Sequence, residues 1–274
     1  MDIDVICDLV ENVIEFIFTD GGKLLKIQED LDKYTSDFKV LVEQEGIMSK
    51  GVFNFFKEHD LQHCPVYTVP ANNHYSWPKA GTLLGLGSDA LIPIQLDVNF
   101  RQDVEDLEKK LNDCLAKEIP VLSVTAVMGS TEESAVDPIQ EIHELRKKFK
   151  AKGLDFALLA DGAWGGYFKT MLRGSPGEFQ KKNKNKEKLD SFMPYCELSE
   201  YVTRQYEHIQ LADTITIDPH KSGFCPYPGG SLCYRNGKMR YPIALFHPEV
   251  FHGEDDPTMG VYGIEGSKPG AAPA

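Results

Sequence analysis

Two ionisable residues of this chain each follow a short apolar run, where a buried strand would deliver a side chain at its end. Asp161 closes Asp155–Ala160 (DFALLA), and Lys221 follows Thr214–Ile217 (TITI) through Asp218-Pro219-His220. A carboxylate in such a place is costly to bury alone, but facing a protonated ring nitrogen it makes a charge-assisted hydrogen bond. A lysine amine, with an ordinary pKa of about 10.4, becomes a nucleophile toward a carbonyl once burial or a nearby cation lowers that value. His74, within Asn72–Ala80 (NNHYSWPKA), supplies a flat imidazole that could cover a ring. Together they suit a flat heteroaromatic carbonyl compound. Each residue alone has a plainer reading: a surface lysine, a helix N-cap aspartate, a surface histidine. The neighbours shift that balance. Gly162, Gly165 and Gly166 around Trp164 would leave room for a ring against Ala163, and Gly223 with Gly229-Gly230 would let backbone approach a ligand.

The elements that must position these groups alternate along the chain. Pro65–Pro70 reads as a short strand between prolines, and Leu83–Leu96 as short apolar runs broken by Gly85, Gly87 and Pro93. Val104, Leu107, Leu111 and Leu115 recur at helical spacing, and Pro120–Val127 (PVLSVTAV) has the composition of a buried strand. A helix is expected over Pro138–Lys150, a strand over Asp155–Ala160, a helix over Leu198–Leu211, and strands at Thr214–Ile217 and Ser231–Tyr234. This order is the α/β signature, with right-handed parallel crossovers and function at the carboxyl ends of the strands. Asp161 and Lys221 are therefore expected at one edge of one sheet. Residues 1–65 read as helical and polar-rich, broken at Gly21-Gly22 and Gly46, and the first turns carry Val5, Leu9, Val13 and Phe16 as one apolar face.

The bulk properties narrow the function. The 274 residues are 42% hydrophobic and 26% charged, an ordinary globular balance. A net charge of −13 argues against nucleic acid or an anionic membrane as main partner. The acidic start (Asp2, Asp4, Asp8, Glu11, Glu15) has no basic segment of a signal peptide, and no uncharged run is long enough to span a bilayer. Six dispersed cysteines (Cys7, Cys64, Cys114, Cys196, Cys225, Cys233) read as free thiols in a reducing, cytoplasmic setting. The run KKNKNKEK at 181–188 reads as a solvated loop. His59, His63 and Cys64 invite a zinc reading, but without a second ligand cluster the plainer one is a polar helix end, and no metal is expected.

Taken in order, His74-Tyr75-Ser76 with Lys79-Ala80, Gly129-Ser130-Thr131, Asp161–Gly166 (DGAWGG) and Thr216–Lys221 (TIDPHK) resemble the group II pyridoxal-phosphate-dependent amino-acid decarboxylases of fold type I. The wording GSTEESAVDP at 129–138, the 60-residue separation of Asp161 and Lys221, and KSGFCPYPGG at 221–230 followed by Glu265–Gly270 resemble the bacterial-type tyrosine decarboxylases most. The resemblance covers about residues 60–274. It implies an α/β large domain with a mainly parallel central sheet flanked by helices over 61–274, preceded by a helical N-terminal segment, 1–60. It implies pyridoxal 5′-phosphate (PLP) as cofactor, an L-amino acid of aromatic, tyrosine-like type as substrate, and a homodimer. Lys221 would form the Schiff base, Asp161 would pair with the pyridine nitrogen, and His74 and Ala163 would cover the two ring faces. Thr131 and His220 would lie near the ring hydroxyl and phosphate. Tyr227 would face the substrate as a proton donor, and Ser267 belongs to a segment that in such dimers reaches toward the cofactor. The family's Gly-Thr-x-Ala-Asn type segment, which grips the phosphate through backbone N–H groups, has no counterpart in residues 1–60, and the C-terminal small domain is expected to be absent. Gly162 stands where alanine is commoner. A second expectation follows from these departures: a catalytically impaired relative or fragment serving in binding or interaction.

Overall fold

The computed structural model describes residues 19–20, 23–24, 44–172, 198–226 and 228–237. The chain divides into two compact units, residues 1–64 and 65–274. In the first, strands β1 (Thr19–Asp20) and β2 (Lys23–Leu24) pair antiparallel, Thr19 with Leu24 and Asp20 with Lys23, where the sequence suggested helix. Helix α1 (Ile47–Glu58) carries a kink at Gly51, whose φ of 72° is open to glycine alone at no strain. The helix ends at Glu58, so His59 and His63 do not share a helix face; His59 packs 4.3 Å from the Phe55 ring instead. The expected helix at the chain start lies outside the described residues.

The second unit is built on a six-stranded sheet in the order β4-β3-β5-β6-β7-β8. The strands are β3 (Val66–Pro70), β4 (Leu91–Ile94), β5 (Val121–Val127), β6 (Ala157–Asp161), β7 (Thr214–Ile217) and β8 (Ser231–Tyr234). All neighbours pair parallel except β7 with β8. The α/β expectation therefore holds, with one antiparallel edge. Pro93 sits in β4, the edge strand of the sheet, which is where a proline, lacking an N–H, can be tolerated.

Helices α2 (Ser76–Leu83), α3 (Val104–Ala116), α4 (Ile139–Lys150) and α5 (Glu200–His208) connect the strands. The start of α3 is set by Asp103, which accepts from the N–H groups of Glu105 and Asp106 at 2.8 and 3.2 Å. Ser199 does the same for α5 through Val202 N–H, at 3.3 Å. Leu107 and Leu111 of α3 and Ile139, Ile142 and Phe149 of α4 are wholly buried with Val124, Ala126 and Leu158 of the sheet, at roughly 1.5–3 kcal/mol for each large side chain. The register matters most for the site. Val127 pairs with Asp161 and Asp161 with Thr216, so β5, β6 and β7 end level with one another.

Candidate active site

The level strand ends open on a cavity of about 240 Å³ lined by Asn72, His74, Thr131, Asp161, Ala163 and Lys221, among others. Asp161 is the last residue of β6. Its Oδ1 accepts from Ala163 N–H at 3.2 Å, and its Oδ2 accepts from the indole Nε1–H of Trp77 at 3.1 Å. Lys221 comes from the turn after β7, where its N–H bonds the Asp218 carbonyl at 3.0 Å. Its Nζ stands 2.9 Å from Asp218 Oδ2, in a pair whose side chains are 31% and 16% exposed. The two loops are joined directly: Asp218 N–H donates to the Ala163 carbonyl at 3.3 Å, and the Ser222 hydroxyl donates to the Trp164 carbonyl.

His74 precedes α2. Its Nδ1 accepts from Ser76 N–H at 3.2 Å and lies 2.8 Å from the Ser76 hydroxyl, so the neutral ring carries its proton on Nε2. The Tyr75 ring packs 4.1 Å from the imidazole, and the Lys79 ammonium lies 4.5 Å from the Tyr75 ring centre. Thr131 follows Gly129 and Ser130; the Ser130 hydroxyl is already engaged with Glu133 and with Ala135 N–H, at 2.9 and 3.0 Å.

Behind the cavity lies Asp137, 1% exposed, whose two carboxylate oxygens accept from Gln102 N–H and Val127 N–H, each at 2.7 Å. Burial pushes this carboxyl up to about 7, helped by the charges of Asp97 and Asp161 and opposed by the two N–H donors.

The structure thus brings five of the sequence-derived candidates, His74, Thr131, Asp161, Ala163 and Lys221, to one cavity. His220 is not among its lining residues: its Nδ1 is turned to the Gly229 carbonyl, because β8 returns antiparallel beside β7 and carries Gly229 across. Tyr227 and Ser267 lie outside the described residues. The glycines also have a different reason from the one the sequence suggested. A Cβ on Gly165 would stand 1.9 Å from the Met128 carbonyl oxygen, and one on Gly223 would stand 2.7 Å from the Tyr167 ring, so both serve close packing of the protein on itself. Two contributors escaped the sequence reading. Asp218 had a signal, its spacing of three residues from Lys221 across a turn. Trp77 had none, being 84 residues from its carboxylate partner.

The donor set fits PLP. An amine and a carboxylate converge on one cavity, a flat imidazole is beside them, and the carboxylate is oriented by donors from outside the ring's place. An α/β sheet with these groups at its carboxyl edge defines a PLP-binding large domain. Residues 52–177 match the pyridoxal-dependent decarboxylase conserved domain. An L-tyrosine decarboxylase of Enterococcus faecalis is 37% identical over 220 residues, covering 78% of this chain and 36% of that protein. One from Levilactobacillus brevis is 38% identical over 222 residues, covering 78% and 35%. Among solved structures, Oryza sativa TDC with PLP and tryptamine has a TM-score of 0.53 at 14% identity, over 72% of this chain and 35% of that one, a likeness of fold. Residues 52–177 thus carry the pyridoxal-dependent decarboxylase conserved domain, and the chain spans about a third of the length of the curated relatives it matches.

Proposed function

We propose that the domain serves PLP-dependent decarboxylation of an L-amino acid, of aromatic, tyrosine-like type, to the amine and carbon dioxide. The observation that carries this reading is the convergence of Lys221 and Asp161 on one cavity at the ends of adjacent strands. When bound, PLP supplies a conjugated cationic ring that takes up the charge left at Cα as the carboxylate departs. Lys221 would hold the carbonyl end through its amine, which stands 2.9 Å from Asp218 Oδ2. Asp161 would accept a hydrogen bond from the ring nitrogen and so favour its protonated form. His74 would cover one ring face and present its Nε2–H toward a substrate carboxylate, and Ala163 would back the other face. Thr131 serves the ring hydroxyl and phosphate side. By the resemblance alone, Tyr227 would serve as the proton donor to Cα, and Ser267 would belong to the segment that in such dimers reaches toward the cofactor.

The working form proposed is a cytoplasmic homodimer. Tyr75, Val98 and Phe100 are 64%, 96% and 53% exposed, and Asn72, which lines the cavity, donates to the Phe100 carbonyl at 3.1 Å, so an apolar rim adjoins the site. Among the described residues Cys114, Cys225 and Cys233 are free thiols, in keeping with a reducing compartment. No helix among the described residues is long and apolar enough to cross a membrane.

The test is PLP titration of the purified chain followed by its visible absorption band, then release of carbon dioxide from L-tyrosine. The band is expected in the wild type and lost in Lys221→Ala. No band at saturating PLP ends the proposal, and a band without carbon dioxide from any aromatic amino acid leaves the binding-only relative as the correct reading.

A further inference from the structure

We propose that Trp77 is a positioning residue for the cofactor site, acting through Asp161; this rests on the PLP reading above. A carboxylate on the last residue of a strand can turn about its Cβ–Cγ bond, and a hydrogen bond to a ring nitrogen needs one of its oxygens held in the ring plane. Here two donors fix that plane. One is local, Ala163 N–H on Oδ1, and would follow the loop wherever it moved. The other comes from a separate element, the indole N–H of Trp77 in α2, reaching Oδ2 from 84 residues away.

The indole is itself held. The Trp77 carbonyl accepts the Tyr67 hydroxyl at 2.9 Å, and its ring packs into an apolar cluster with Tyr67, Val69, Ala90 and Leu91. Helix α2 can come this near because residue 81 is glycine: a Cβ there would stand 2.2 Å from the Tyr67 hydroxyl oxygen. Tyr67 and Val69 belong to β3, so the carboxylate of β6 is oriented by a strand two places away in the sheet. Trp77 is also only three residues from His74, and its N–H bonds the His74 carbonyl at 3.1 Å. One short segment therefore sets both the group that covers the ring and the orientation of the group that faces the ring nitrogen.

The experiment has one arm without cofactor and one with it. The chain has two tryptophans, so the amide NMR spectrum carries two indole signals, assigned by Trp164→Phe. In the chain without cofactor the Trp77 signal is expected in the hydrogen-bonded range, and Asp161→Ala is expected to move it upfield and speed its exchange with water. In the cofactor arm, Trp77→Phe keeps the packed ring and removes the donor, and is expected to weaken PLP by roughly tenfold, the scale of one hydrogen bond to a charged group. An indole signal indifferent to Asp161→Ala overturns the inference, as does a Trp77→Phe protein that binds PLP as tightly as a wild type that does bind it. A wild type that shows the bonded indole signal but binds no PLP overturns the functional reading instead, and the two failures are thereby told apart.

Discussion

Replacement of Tyr206 by phenylalanine isolates one hydrogen bond that holds the site loops. Tyr206 lies on α5, is 1% exposed, and donates its hydroxyl to the Gly165 carbonyl at 2.7 Å, with the Met128 carbonyl at 3.3 Å beyond it. Burial raises its pKa, so the hydroxyl stays protonated and remains a donor throughout the neutral range. The substitution keeps the buried ring and deletes only the O–H. A buried carbonyl left wholly unpaired would cost about 1–3 kcal/mol. Gly165 O, however, also accepts from Phe168 N–H at 3.0 Å, so one of its bonds survives. The loss should then sit at the low end, about 1 kcal/mol, or a fall in melting temperature of about 2–4 °C for a unit of this size. Urea and thermal denaturation of the two proteins side by side measure it. A variant as stable as the wild type would mean that the hydroxyl does not secure the loop after Asp161. A loss above about 3 kcal/mol would mean that the ring, not the bond, had been disturbed.

Two further substitutions probe the charges inside the fold. Asp213, 1% exposed, accepts from Arg146 and Leu158 N–H on one oxygen and from Arg235 on the other, each at 2.8 Å; Asp213→Ala strands Arg146, 11% exposed, with Asp155 as its remaining partner, and should cost about 3 kcal/mol in urea denaturation. Asp137→Asn tests the raised carboxyl. Its folded value, about 7, stands above the ordinary aspartate value of 3.8, so between those limits the folded chain binds more protons than the unfolded one, and this group's contribution to stability falls as pH rises through the window. The stability of the wild type relative to Asp137→Asn should therefore fall by roughly 1 kcal/mol per pH unit from about pH 5 to 7. A difference that is constant across that range would refute the raised value.

The strand-end positions of Asp161 and Lys221 were legible because apolar runs of strand length precede them and because parallel sheets gather function at one edge. What was hidden depended on which strands become neighbours. Pro93 argued against a strand at Leu91–Ile94, and only its place at the sheet edge makes that strand possible. His220 sits in the same motif as Lys221, yet the antiparallel return of β8 occupies its imidazole with Gly229, a pairing that no local pattern announces. The glycines after Asp161 signalled a close approach, but a sequence does not say what approaches, and for Gly165 it is the Met128 carbonyl of the neighbouring strand's loop.

That approach explains how the site can be formed in advance of any ligand. The loops that follow β5, β6 and β7 are bonded to one another through main-chain groups: Met128 N–H to the Asp161 carbonyl at 2.8 Å, and Asp218 N–H to the Ala163 carbonyl. A main-chain bond fixes where a loop runs regardless of which side chains it carries, so the backbones that carry Asp161 and Lys221 are placed by the sheet register and these ties. Pre-set geometry of this kind reduces the ordering cost of binding, which is where such sites gain affinity and reactive orientation. The side of the cavity proposed for the phosphate is built differently, since Ser130 spends its hydroxyl on Glu133 and Ala135 and the His220 ring is tied to Gly229. The described residues therefore define the proposed ring end of the site more sharply than the proposed phosphate end. Substitutions at Asp161 and Lys221 should accordingly change cofactor binding far more than substitution of Thr131.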